Sequence, residues 1–185
     1  MNNLLVVGYR ANELNIFNQK HKGIPYIKMA IESRLAPLAE EGLEWVLTAG
    51  QYGFDLWACE VANAMKSRYP QLKTSILAAY SNPEDKWSEE KQTYFRDVAK
   101  AVDYYGTVSK QPYDGPWQLR ARDDLLLRKS DGMLLFYDED AGDASPKHMK
   151  RRALERQQED GYPIYTITAE DVQLMADEQS RDMME

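Results

Sequence analysis

Short apolar or β-branched runs alternate along the chain with amphipathic stretches, and no other feature narrows the fold as far. The runs are Leu4 to Val7, Glu44 to Ala49, Thr74 to Ala79, Tyr104 to Ser109, Gly132 to Tyr137 and Tyr162 to Thr168. Their length and composition predict strands. Between them, Ile27, Ala30, Ile31, Arg34, Leu35 and Leu38 repeat at helical spacing, with Pro25 placed to open that helix and Gly42 to close it. Pro37 lacks an N–H and clashes one turn back, so a bend or an end is expected near it unless packing tolerates it. Phe54, Trp57, Ala58, Val61, Met65 and Tyr69 form one buried helical face, stopped by Pro70. Further helices are predicted over Glu89 to Val102, Pro116 to Lys129 and Pro146 to Asp160, and a last one frays into a charged tail over about 176–185.

Strands apolar on both faces and separated by helices imply a mostly parallel sheet covered on both sides. The expected fold is therefore α/β: a Rossmann-like, doubly wound sheet of about six strands. A chain of 185 residues with 43% hydrophobic content fits one domain, residues 1–185. No repeat, low-complexity tract or Ser/Gly linker divides it.

In such a sheet, ligands bind where loops gather at the strands' carboxyl edge. Gly50, Gln51, Tyr52 and Gly53 lie at one of these exits, directly before a helix. The pattern reads as a tight turn, or as a loop presenting N–H groups to an anion at a helix N-terminus. It matches neither the dinucleotide fingerprint nor the P-loop. Other residues are expected at the same edge. Gly8, Tyr9 and Arg10 leave the first strand there, and Ser145 and Pro146 read as N-cap and first helical residue, with Lys147 next. Ser145 can equally be a plain helix cap.

Two carboxylates follow the glycines. Asp55 falls in the first helical turn, where the helix dipole favours negative charge. Glu60 falls beside Trp57 at the margin of the apolar face, as a solvated flank or as an acid, base or ribose-hydroxyl acceptor. The catalytic candidates are therefore Glu60 and Asp55. Tyr9, Tyr52, Tyr80, Trp87, Tyr113 and Trp117 fall in or beside the edge loops and suit either stacking on a purine or loop packing.

Charge limits the partners. A net charge of −7 and a pI near 5.0 argue against general nucleic-acid or anionic-membrane binding, so any anion site must be focused. The basic run Lys147 to Arg156 reads as a solvated helix face. Cys59 stands alone, which fits a reducing compartment, and His21 and His148 have no metal-binding spacing. The N-terminal apolar run is too short for a signal sequence or membrane span, so a cytoplasmic location without a metal is expected.

The segments "GYRANELNIF", "EEGLEWVLTAGQYGFDLWACEVA", "KSDGMLLFYD", "SPKHM" and "QEDGYPIYTIT", in this order, resemble the YpsA family of small bacterial proteins over nearly the whole chain. The resemblance implies a Rossmann-like domain of the SLOG superfamily, related to DprA and to the cytokinin-activating LOG phosphoribohydrolases. It implies a nucleotide or nucleotide-derived ligand, and it places the family's glycine-loop motif on Gly50, Gln51, Gly53, Asp55, Trp57 and Glu60. The family pattern has glutamate where this chain has Asp55, which shortens the reach of that carboxylate. The LOG motif PGGxGTxxE is absent, and the chain is too acidic for a DprA-like groove. The resulting expectation is a sensor or regulator of a small phosphorylated ligand, a nucleotide or an ADP-ribose-like molecule. Gly50, Gln51 and Gly53 would cradle phosphate, Arg10 and Lys147 would neutralise it, and Glu60 or Asp55 would contact ribose. The alternatives are a hydrolase of nucleotide N-glycosidic bonds using the same pocket, and a protein–protein adaptor. A homo-oligomer is compatible with each.

Overall fold

The computed structural model describes residues 1–184. Six strands, β1 (Asn3–Gly8), β2 (Trp45–Thr48), β3 (Lys73–Ala78), β4 (Tyr104–Thr107), β5 (Gly132–Phe136) and β6 (Ile164–Ile167), form one parallel sheet in the order β4-β3-β2-β1-β5-β6. The helices are α1 (Ile24–Glu40), α2 (Phe54–Met65), α3 (Glu89–Ala101), α4 (Pro116–Lys129), α5 (Lys147–Asp160) and α6 (Ala169–Met184). Strand and helix alternate throughout, as the periodicity predicts.

Burial explains the order of the strands. Every residue of β5 is buried and β1 is nearly so, which suits the centre of a sheet covered on both faces. β4 begins with the exposed Tyr104 and Tyr105 and forms an edge. The first three crossovers step outward from β1 to β4, so right-handed connections place α1, α2 and α3 on one face, where α2 touches both of the others. The fourth crossover returns to β5 on the far side of β1 and steps the other way, which assigns α4 and α5 to the opposite face. α6 comes back to pack on α1. The direction of winding therefore reverses between β1 and β5, whose registers end together at Gly8 and Phe136.

Two local expectations change. α1 passes through Pro37 to Glu40, with Gly42 just beyond at φ 104°. Leu35, Leu38 and Ala39 are buried on either side of Pro37, and that packing offsets the lost hydrogen bond. The final segment does not fray at 176: α6 is helical to Met184. Val172 and Met175 pack on the core, and good helix formers beyond them, including Ala176, Glu178, Gln179 and Arg181, propagate the turn. Among the described residues, no helix is long and apolar enough to cross a membrane.

Candidate functional site

The glycines at the β1 and β2 exits bring chain segments together. The Phe54 N–H donates to the Tyr9 carbonyl at 3.1 Å, and the Ala11 N–H to the Tyr52 carbonyl at 2.9 Å, making an antiparallel bridge between Arg10 and Gly53. Gly53 has φ 143°, and a Cβ there would lie 2.5 Å from Ala11 N and 2.7 Å from the Tyr9 oxygen. Only glycine permits that approach. Gly50, at φ 73°, lies against Ile76 of β3, and Gly8 against the ring of Phe54. The Gln51 N–H donates to Asp55 Oδ2 at 3.1 Å. Of the expected cradle of Gly50, Gln51 and Gly53, the Gln51 N–H is thus engaged by the protein itself.

What the loop does project is the Gln51 side chain, whose Oε1 accepts from Arg10 Nε at 3.4 Å. Arg10, Gln51 and Asp55 line a cavity of about 190 Å³ beside Gly8, together with Arg122, Asp123, Ser145 and His148 from the opposite helical layer and its approach. Asp55 is 4% exposed. Burial pushes its carboxyl up to about 7, against the pull of the Gln51 N–H and of the Arg122 and Arg10 charges.

Arg122 is buried on α4. Its Nε and Nη2 both meet Asp123 Oδ1 at 3.0 Å, and Nη1 makes no hydrogen bond among the described residues. This cation is aimed at the cleft with donor capacity to spare. Sequence reasoning missed it, although a signal existed: Leu119, Arg122 and Leu126 share one helical stripe, so a charge interrupts an otherwise apolar face. Asp123 and His148 carried no such signal.

Glu13 ties two edges of the cleft. It lies in a 3-10 turn, Ala11–Leu14, where it accepts the Arg10 N–H at 2.8 Å, the Ser145 N–H at 2.8 Å and the Ser145 hydroxyl at 2.6 Å. Burial raises its pKa, but the Ser145 and Arg10 hydrogen bonds outweigh it and hold the carboxyl below its ordinary value. Ser145 is consequently held toward Glu13 and is not the side-chain cap of α5, whose N-cap position is Pro146.

Three expected residues lie elsewhere. Tyr9 is buried, its ring edge-on to Phe136 at 5.0 Å and its hydroxyl accepting the Asp138 N–H at 2.8 Å. Lys147 pairs with Asp143 at 2.6 Å and lines a neighbouring depression with Lys150 and Arg151, which meets the first cavity at Ser145 and His148. Five residues on from Asp55 is about 140° of helical rotation, so Glu60 emerges on another side of α2. There it accepts from Tyr94 at 2.6 Å and pairs with Lys28 at 2.9 Å.

A second cavity, of about 410 Å³, adjoins the first and shares Arg10, Ala49, Gln51, Leu119 and Arg122 with it. Its remaining wall includes Asn12, Tyr52, Tyr80, Pro83, Trp87 and Lys91. Of the other aromatics considered for stacking, Tyr113 packs on Tyr80, and the indole N–H of Trp117 donates to Asp114 at 3.2 Å. The first cavity lies beside β1 at the winding reversal, where open α/β sheets bind ligands, and the second extends from it past the exits of β2 and β3.

Comparison with known proteins agrees with this architecture. The model of the YspA SLOG family matches residues 4–172. A UPF0398 protein of Brevibacillus brevis is 41% identical over 180 residues, covering 97% of this chain and 95% of its own. The UPF0398 protein YpsA of Bacillus subtilis is 39% identical over 177 residues, covering 96% and 98%. A UPF0398 protein of Macrococcus caseolyticus is 36% identical over 181 residues and 98% of each chain. With the glycine loop, the β1 exit and the α5 approach all inside the matched span, this chain belongs to the YspA SLOG family.

Proposed function

We propose that this chain is a cytoplasmic sensor or regulator that binds a small phosphorylated ligand, a nucleotide or a nucleotide-derived molecule such as an ADP-ribose-like one, in the cleft between β1, α4 and α5. The observation that carries the reading is the pair Arg10 and Arg122, which line both cavities. In a chain of net charge −7, two guanidinium groups converging on one cleft make a focused anion site. The anion is held by these side chains and by Gln51, and not by Lys147, which pairs with Asp143, nor by Ser145, whose N–H and hydroxyl both donate to Glu13.

A thermal-shift screen against AMP, ADP, ATP, NAD, ADP-ribose and cyclic dinucleotides tests it. Ligand at 100 times its dissociation constant stabilises by about 2.7 kcal/mol, a rise of several degrees in a domain of this size. Arg10→Glu and Arg122→Gln should each remove the shift while the fold persists. No shift across the panel would reject the reading.

Asp55 favours a second reading. A buried carboxyl with a pKa of about 7 suits a general acid at neutral pH, as cleavage of a nucleotide N-glycosidic bond requires. Glu60, tied to Lys28 and Tyr94, takes no part in this chemistry. Chromatography of each incubated ligand separates the two: product that disappears with Asp55→Asn, while binding remains, makes the protein a hydrolase.

A further inference from the structure

We infer that the larger cavity is a nucleobase subsite, in which Tyr80 and Trp87 take a planar aromatic ring while the attached phosphates lie at Arg10 and Arg122. The inference rests on the proposed anion reading and names the ligand class for it: a nucleotide, with a bare phosphate or pyrophosphate filling only half of the cleft.

The chemistry of the wall changes along the cleft. Where the two cavities meet it is cationic, at Arg10 and Arg122. Toward the α3 side it becomes aromatic. Small residues share the lining there: Ala49 follows β2, and Ala78 and Ala79 end and follow β3. A cavity of about 410 Å³ with flat apolar walls, opening onto two guanidinium groups, matches a base joined to phosphate through a sugar.

The rings are held in place by one another. Trp87 meets Tyr52 edge-on at 5.9 Å and Phe95 at 5.3 Å, and Tyr80 meets Tyr113 at 5.3 Å. Yet Tyr80 and Trp87 both remain partly exposed on the cavity side. Aromatic side chains already fixed by packing lose little freedom when a base stacks on them. Lys91, with Nζ 5.0 Å over the Tyr52 ring, and Asn12 supply polar groups at the rim for the edge of a base.

Calorimetric titration of the full chain with ADP and with inorganic pyrophosphate, before and after Tyr80→Leu and Trp87→Leu, tests this. ADP should bind more tightly than pyrophosphate. Loss of stacking should weaken ADP by about tenfold or more, with pyrophosphate affinity retained, which also reports that each variant is folded. Arg122→Gln should weaken both. Equal affinity for ADP and pyrophosphate, unchanged by both leucine variants, would overturn the base subsite and leave the anion site standing. Failure of both ligands to bind the wild-type chain would reject the anion reading and this inference with it. If one leucine variant lost pyrophosphate binding too, the other would decide.

Discussion

Asp55 accepts the Gln51 N–H at 3.1 Å from inside the first turn of α2, so the carboxylate that begins the helix also closes the loop before it. That single bond keeps a buried carboxyl beneath the residue that reaches Arg10, and it places a titrating group in the wall of the cleft.

Stability should therefore depend on pH through Asp55. Its folded pKa of about 7 lies above the ordinary value of 3.8, so across that interval the native protein holds a proton that the unfolded chain has released. Stability falls as pH rises through this window and levels off above it. Asp55→Asn keeps an acceptor for Gln51 and cannot ionise. Urea melts at several pH values should show the variant gaining on wild type by about 1.4 kcal/mol per pH unit within the window, to a few kcal/mol near pH 8. A difference independent of pH would refute this role for burial.

Gly53→Ala should damage the fold before it reports on any ligand. The new Cβ meets backbone atoms of Tyr9, Arg10 and Ala11, none of which can move without breaking the bridge to the β1 exit. We expect a loss of about 2–4 kcal/mol in chemical denaturation. Gly42→Ala is the control. It also has positive φ but nothing within 4 Å, so its cost should be about 1–2 kcal/mol. Equal costs would show that the close approach at Gly53 contributes nothing.

Glu13→Ala should release Ser145 and the Arg10 N–H together. At neutral pH the expected loss is about 1–3 kcal/mol for the missing charge-assisted bonds. Because the folded pKa is depressed, this contribution is present above the unfolded value of 4.5 and disappears as pH falls through the folded one. Amide exchange at Ser145 should accelerate at pH 7, and the wild-type and variant stabilities should converge in acid. Unchanged protection of Ser145 would mean the bond to Glu13 is not what holds that segment.

Glu60→Gln should leave nucleotide binding intact. The carboxylate joins α1 and α3 through Lys28 and Tyr94, and the Lys28 pair is about one-third exposed. Its removal should cost no more than about 1 kcal/mol. Calorimetry showing lost affinity at unchanged stability would return Glu60 to the cleft.

The sequence alone determined the alternation of strands and helices, because periodicity is local: a buried strand or an amphipathic helix advertises itself within a dozen residues. The parallel sheet follows from the same pattern, as Leu4 to Val7 and Gly132 to Tyr137 are apolar on both faces. Arg10, Gln51 and Asp55 were legible too, since each lies where a strand leaves the sheet. Tertiary structure decided what those exits face. Arg122 reaches the cleft from α4, and nothing local to that segment says which layer closes over β1. Lys147 and Glu60 are withdrawn for the complementary reason. An ion pair with Asp143 and a helical rotation toward Tyr94 turn them elsewhere, and those partners and angles exist only once the helices have docked.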